Sequence, residues 1–400
     1  MAEDPFSGLF LLLWIVMIFF YPRMALMQIV WKLEESVKNL EDMSHKSRKI
    51  VLRQVSEKPS EKAKNAIDRM VEFFAVEPVS LDPYGIIPKL EHVVNAEEDK
   101  IKYTIEGITP NMNAEKRANI LMGVAGAMAV NQIAKIVKHF LVMIKKTKNI
   151  QLAMILQMQL PMVERMAKAM YKGTEYLATG QPVGDSIGPL IAAKMIGNST
   201  PRLTEYDTAI ASVNYKERRL VIMKAAGPGG RLGRLGRATE AVLKNHKITK
   251  IITIDAAAKL EGEKTGSVAE GVGVAMGGIG VERAQIENIV IRHRIPLDNI
   301  VVKMGQEEAI TAMPTAVKNS IPKVMEAFDR LLERTKKGDH ILVIGVGNTS
   351  GVGNSAKGLK GTLETIDRNV RKVEAEKRKR REENKKFSRR VFGTVEEEDE

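Results

Sequence analysis

One stretch constrains this chain before any other. Phe6 to Pro22, FSGLFLLLWIVMIFFYP, runs seventeen residues without a formal charge. As a helix it reaches roughly 25 Å at about 1.5 Å per residue, enough to cross the hydrocarbon core of a bilayer. A cleaved signal peptide wants a basic start and a small-residue cleavage site. Here Glu3 and Asp4 precede the run, and Phe19, Phe20 and Tyr21 close it. Residues 1–23 therefore read as an uncleaved transmembrane anchor whose partner is the bilayer through residues 6–22. Arg23, Lys32 and Lys38 on the far flank place the amino terminus outside the cell membrane and the rest of this single-pass chain in the cytoplasm. Tyr21 and Trp31 suit the inner interfacial belt, and the competing reading is a buried core helix. A second apolar stretch, Ile120 to Val130, runs into Asn131, Lys135, Lys138 and His139 and reads as a soluble core helix.

After the anchor, Val30, Leu33, Val37 and Leu40 keep a 3,4 spacing before Ser44 and Ser47 take the next seam positions. That pattern predicts a helical stalk with about two heptads of coiled-coil seam. Pro59, Pro78, Pro83 and Pro88 punctuate the next stretch, so 24–112 reads as stalk and linker, and 113–180 as a helical region. Within the latter, Met122, Met128, Met143, Met154, Met158, Met162, Met166 and Met170 recur on mainly helical spacings. Core packing is the expected use of such methionines, with a grip on apolar substrates as the alternative.

The second half changes character. Short β-branched runs, Leu220 to Met223, Ile251 to Ile254, Ile300 to Val302 and Ile341 to Ile344, alternate with helical patterns, which predicts an α/β domain with a parallel sheet over 181–355. Residues 356–400 read as a charged helical tail, basic at KRKRR (377–381) and acidic at EEEDE (396–400). The tail has too little apolar content to fold alone, and its basic run is a candidate contact for RNA or ribosome. A net charge of +13 permits such a partner without identifying one.

Glycine-rich segments follow three of these runs or precede helices: AAGPGGRLGRLGR (225–237), GVGVAMGGIG (271–280) and ILVIGVGNTSGVGNS (341–355). Glycines let the backbone approach a ligand or turn where a Cβ would clash. Gly227, Gly229, Gly230, Arg231, Gly233 and Arg234 in the first loop, and Gly345, Gly347 and Asn348 in the third, are the candidate ligand-binding residues. Arg231, Arg234 and Arg237, three apart, are expected near one side of a helical turn, where they would hold phosphate or carboxylate. The G-x-G-x-x-x-G spacing is neither the dinucleotide fingerprint nor a Walker A loop. Cysteine is absent, so thiolate nucleophiles and thiolate metal sites are excluded.

Two aspartates fall at such loops. Asp255 ends the strand Ile251 to Ile254, at the carboxyl edge where sites collect in an open parallel sheet. Asp185 lies in TGQPVGDSIGP, ahead of the helical run Leu190 to Met195. Their ordinary reading is a helix cap and a turn. Taken in order, however, D-S-I-G-P-L-I-A-A (185–193), the Pro-Gly loop (228–236), I-T-I-D-A-A-A (252–258) and G-G-I-G-V (277–281) resemble the spore germination protease family. That family stands with the hydrogenase maturation proteases in a phosphorylase/hydrolase-like α/β superfamily. The resemblance covers about residues 180 to 281 and implies that the functional aspartates are Asp185 and Asp255. The family's strand leading into Gly-x-Gly-Asn opens its domain, whereas here I-L-V-I-G-V-G-N lies at 341–348. A circularly permuted domain would return that strand to the sheet centre beside Asp185. The layout of an anchor followed by a glycine-rich α/β end also resembles an archaeal membrane-anchored family of unknown function.

If the two carboxylates converge, they cannot both ionise cheaply, and one proton is shared as acid and base. That implies an aspartate-dependent peptidase acting on protein or peptide. With a further histidine the pair would instead hold a divalent metal, as the hydrogenase maturation branch holds nickel; His293 is the candidate, with helix-end residue as its ordinary reading. Glu261, Glu263 and Glu270 are spare acids that otherwise read as a solvated loop. The cofactor is left open. Two other functions stay in play: a non-catalytic binder of an anionic ligand, nucleotide or RNA at the Arg231 loop, and a membrane scaffold.

Overall fold

The computed structural model describes residues 5–76, 78, 84–277 and 280–392, with side chains omitted at 5–13, 15–19, 22, 380 and 384–392. Pro83, the middle of the G-G-I-G-V segment and the acidic EEEDE run lie outside the described residues. The chain divides into two compact units. The first comprises residues 1–76, 97–112 and 120–179, and the second 77–96, 113–119 and 180–400.

The first unit is helical. Its elements are α1 (Pro5–Val55), α2 (Glu61–Val71), α3 (Ile86–Ile108), α4 (Ala114–Thr147) and α5 (Ile150–Ala178), with the opening turns of α3 and α4 belonging to the second unit. Leu33, Val37 and Leu40 of α1 are buried against Val130, Val137, Ile144 and Leu160. The seam does not stop at the serines. Ser44 Oγ donates to Asn131 Oδ1 at 2.9 Å and Ser47 Oγ donates to the Met43 carbonyl at 2.9 Å, so both hydroxyls are buried with their polarity satisfied. The packed face of α1 thus continues past the two expected heptads, from Leu33 to Val51. The proline-punctuated stretch also carries helices: Ser60 caps α2 through the Ala63 amide, and Pro88 sits in the first turn of α3, where a missing N–H costs nothing. Among the described residues, α4 is the helix long and apolar enough to cross a membrane. Its Ile120, Val124, Ala127 and Val130 are buried in the unit's own core, as befits a core helix. Met154, Met158 and Met162 point to solvent rather than into that core. Of the apolar run at 6–22, carried on α1, only Trp14, Phe20 and Tyr21 have described side chains, and all three are exposed.

The second unit is α/β. It continues through α6 (Ile187–Ile196), β1 (Arg202–Leu203), β2 (Thr208–Tyr215), β3 (Arg218–Ala225), α7 (Leu235–Asn245), β4 (Lys250–Ala258), β5 (Val268–Val272), α8 (Val281–His293), β6 (Leu297–Met304), α9 (Gln306–Ile310), α10 (Thr315–Lys318), α11 (Ile321–Glu333), β7 (His340–Gly345) and α12 (Leu359–Phe392). The strands form one sheet in the order β1-β2-β3-β7-β4-β6-β5. The four β-branched runs are its parallel centre, β3-β7-β4-β6. The sheet is nonetheless mixed, because β2 pairs antiparallel with β3, β1 with β2, and β5 with β6. The β2–β3 hairpin turns on Lys216 and Glu217, both at positive φ. That backbone normally announces itself with Asn-Gly, which is why the hairpin was hidden.

Strand alternation feeds two apolar layers. Leu220, Ile222, Ile252, Ile254, Ile341 and Val343 face α6 and α11. Val221, Met223, Ile251, Leu342 and Ile344 face α7 and α8. The unit does not end at Ser355: Ile366 of α12 is fully buried in the first layer, and Thr362 Oγ1 donates to the Gly351 carbonyl at 2.9 Å.

Backbone segments approach closely at the start of α6. A Cβ at Gly188 would lie 2.1 Å from the Val346 carbonyl oxygen and 2.4 Å from that of Ile254, main-chain atoms at the ends of the two central strands. Gly188→Ala is expected to destabilise the unit by on the order of 3 kcal/mol or more. Gly358→Ala, where the added carbon meets nothing within 4 Å, should stay within about 0.5 kcal/mol. Thermal melts of the two variants beside the parent check this.

Candidate functional site

The carboxyl ends of β4 and β7 meet the loop that enters α6. Val346 N–H donates to the Ile254 carbonyl at 2.9 Å, just beyond the last β4–β7 pair; Asp255 does not end its strand as expected, because β4 continues beside β6 to Ala258. Beyond Val346, Gly347 has φ +125°, and a Cβ there would lie 2.1 Å from the Asp185 carbonyl oxygen. Only glycine tolerates both conditions. This approach aims the Asn348 N–H at the Asp185 carboxylate, 2.7 Å from Oδ2. Asp185 is therefore bound to a strand-end loop, and α6 has no side-chain cap at its N-terminus; the capping role is set aside. Asp255 is buried and accepts from the Ala256 amide at 2.6 Å.

The electrostatics of the two acids differ in a useful way. Burial raises the pKa of Asp185, opposed by the Asn348 hydrogen bond, which favours its charged form. Asp255 is raised well above the usual carboxylate range, first by burial and then by the negative charge of Asp185. Burial acting on both carboxyls, and the charge of Asp185 acting on Asp255, favour retention of a proton by the pair. Thr253, on the same strand face as Asp255 two residues earlier, and Ser350, two residues after Asn348, have buried hydroxyl oxygens with no hydrogen-bond partner among the described residues.

The first glycine loop is not an open cradle. Gly227 N–H donates to Asn354 Oδ1 at 2.7 Å, Gly230 N–H to Asn119 Oδ1 at 2.8 Å, and Gly229 N–H to Glu115 Oε2. Arg231 Nη1 donates to that same Glu115 oxygen at 2.8 Å. Gly233, at φ +68°, packs on Ala225. The three arginines do not share a helical turn: residues 231–234 are irregular, Arg234 is the N-cap of α7, and Arg237 pairs with Glu91. Gly345 ends β7 against the Gly188 carbonyl and Ala192. Thr349 joins this loop to the third, donating from Oγ1 to the Gly229 carbonyl at 2.7 Å and accepting from Arg231 N–H at 3.1 Å.

The remaining candidates lie apart from the aspartates. Glu263 pairs with Lys303, Glu270 with Arg330, and Glu261 lies in an exposed turn. His293 ends α8, exposed. Among the described residues no group of three His, Asp or Glu side chains could hold a metal, so the pair lacks the third such ligand that a nickel-type centre needs.

Lys224 escaped the sequence reading. It ends the run LVIMK on β3 with no exposure, and its Nζ donates to the Ala225 carbonyl at 2.7 Å and to Asn354 Oδ1 at 3.1 Å. Burial lowers its pKa to about 7, with Glu115 pulling up and Arg231 pushing down. A lysine whose folded pKa is depressed penalises the native state at low pH. That penalty is full below the folded value and fades as pH rises from there toward the unfolded value. Native stability should therefore rise between about pH 7 and 9, by at most about 1.4 kcal/mol per pH unit, and Lys224→Met should flatten that rise. Urea midpoints across the range measure it; parallel slopes for parent and variant would exclude a titrating Lys224.

No curated protein and no solved structure matches the chain. Residues 8–180 match the "Protein of unknown function (DUF1512) N-terminal domain", and residues 183–353 match the "Domain of unknown function (DUF1512) C-terminal". Spanning both parts of that two-domain pattern, the chain belongs to the DUF1512 family.

Proposed function

We propose that this protein is a membrane-anchored hydrolase of peptidase type that uses Asp185 and Asp255 as a proton-sharing pair. The carrying observation is that Asp185, held by the loop after β7, acts electrostatically on the buried Asp255, which follows the last β4–β7 pair, and raises its pKa beyond what burial does. Asp185, ionised, takes a proton from water as the water oxygen attacks the peptide carbonyl carbon. Asp255, protonated, hydrogen-bonds the carbonyl oxygen and gives it a proton as the C=O π bond breaks. Asp185 then gives its proton to the leaving nitrogen as the C–N bond breaks, and Asp255 takes a proton from a gem-diol hydroxyl as the C=O bond re-forms, which releases amine and acid and regenerates the pair. The central position of β7, between β3 and β4, supports a permuted phosphorylase/hydrolase-like arrangement, because it delivers Gly347 and Asn348 to Asp185. The anchor is the apolar run at 6–22, which lies on α1 with Arg23 on its flank; the reading places it across the cell membrane with the α/β unit in the cytoplasm. A contact of the basic run 377–381 on α12 with RNA is the secondary reading, supported by the exposed Lys377, Arg378, Lys379 and Arg381.

Full-length protein in membranes, assayed against a peptide library, should lose about 100-fold or more of its hydrolysis with either Asp185→Asn or Asp255→Asn. The parent's rate should follow a bell in pH, since one proton must stay on the pair. Hydrolysis indifferent to both substitutions would end the proposal. A second readout needs no substrate. Because the Asp255 pKa is raised in the native state, its ionisation costs stability progressively as pH climbs from the ordinary aspartate range toward the folded pKa. Asp255→Asn should therefore melt higher than the parent at neutral pH, and the gap should close in acid.

A further inference from the structure

Two donors of the first glycine loop end on a carboxylate that the protein itself supplies. Gly229 N–H and Arg231 Nη1 converge on Glu115 Oε2, and the charge of Glu115 also acts on the buried Lys224. A backbone amide, a guanidinium and a nearby ammonium are the components from which proteins build oxyanion sites. Gly229 is fitted to that use: a Cβ there would stand 2.6 Å from Glu115 Oε2, so any side chain would shut the anion out. The receptor and its occupant differ in burial. The Arg231 side chain is 14% exposed and that of Glu115 41%, so the cation is fixed in the wall while the carboxylate enters from outside, on the first turn of α4. The location also matters. Thr349, which holds this loop, directly follows Asn348, which holds Asp185.

We propose that the Gly229–Arg231 loop is a binding site for an oxyanion of a substrate or effector, and that Glu115 occupies it as a displaceable internal ligand. Incoming phosphate or carboxylate replaces one negative charge with another, so Arg231 is never left uncompensated. Placement beside the aspartates makes an anionic group on the substrate its natural occupant, a step that rests on the hydrolase reading; binding itself does not.

The test uses full-length protein carrying Asp185→Asn, so that hydrolysis plays no part, titrated calorimetrically with inorganic phosphate and with a tripeptide as free acid and as amide. Glu115→Ala should bind phosphate or the tripeptide acid at least about tenfold tighter than the Glu115 parent. The amide should not bind, and adding Arg231→Gln should abolish the gain. Phosphate alone would mark a phosphorylated ligand, and the acid alone a peptide carboxyl end; either supports an oxyanion site. Native circular dichroism with no gain for either anion would overturn the proposal, as would a gain that survives Arg231→Gln. Should Glu115→Ala fail to fold, Glu115→Gln keeps the shape and loses the charge; it should bind several-fold tighter than the parent, and no change would overturn the proposal equally.

Discussion

The return of the last strand to the middle of the sheet organises everything around the aspartates. β7 pairs parallel with β3 on one side and with β4 on the other, so its outgoing loop emerges between theirs. From that position four successive residues each make a different connection. Val346 ties to β4, Gly347 admits the Asp185 backbone, Asn348 donates to its carboxylate, and Thr349 grips the glycine loop after β3. An edge strand would reach one neighbour at most. The cost of a long connection from β6 through three helices is repaid by placing one loop against two others.

Parts of this arrangement were legible in the chain and parts were not. β-branched runs such as IITI and ILVI can scarcely be anything but buried parallel strands, whereas the continuation of β4 past Asp255 through three alanines to Ala258 carried no β-branched signal. The partnership of Asp185 with Asp255 came from ordered likeness to a protease family, because no spacing rule links residues seventy positions apart. Lys224 was missed for a physical reason: a lysine at the end of an apolar run normally reads as the strand's exit into water. Here Asn354, 130 residues later, supplies its acceptor. Glu115 was hidden in the same way, being an ordinary first-turn acid whose carboxylate suits a helix N-terminus until the glycine loop is placed beside it. The antiparallel edges escaped because β1 is two residues long, while β5 is short and alternates weakly.

Polar burial in the α/β unit is stratified. Below the strand ends, the two faces of the sheet are lined by Ile, Val, Leu and Met. At the strand ends themselves stand Lys224, Asp255, Asn348, Thr349 and Ser350, each less than a tenth exposed. Taking a charge out of water is costly unless it is paired or neutralised, and burial raises the pKa of both central acids toward the neutral form that costs less. Lys224 solves it with two acceptors and a pKa near neutrality. Such residues are poor choices for stability, since hydrophobic replacements of similar volume are often neutral or stabilising at buried charged sites.

Their confinement to one edge of the sheet is therefore the informative point. A polar network required only for folding would have no reason to avoid the amino ends of the same strands. There the buried charge is modest: Lys250 at the start of β4 meets Asp298 at 2.6 Å and the Leu331 carbonyl at 3.2 Å, a contact in which opposite charges answer each other. At the carboxyl edge, by contrast, two acids are set against each other and a lysine is held near its titration point. Carboxyl edges of parallel sheets are where loops converge and ligands bind, and perturbed acids and bases gather where chemistry is done. The asymmetry between the two ends of β4 argues for a working site at one of them.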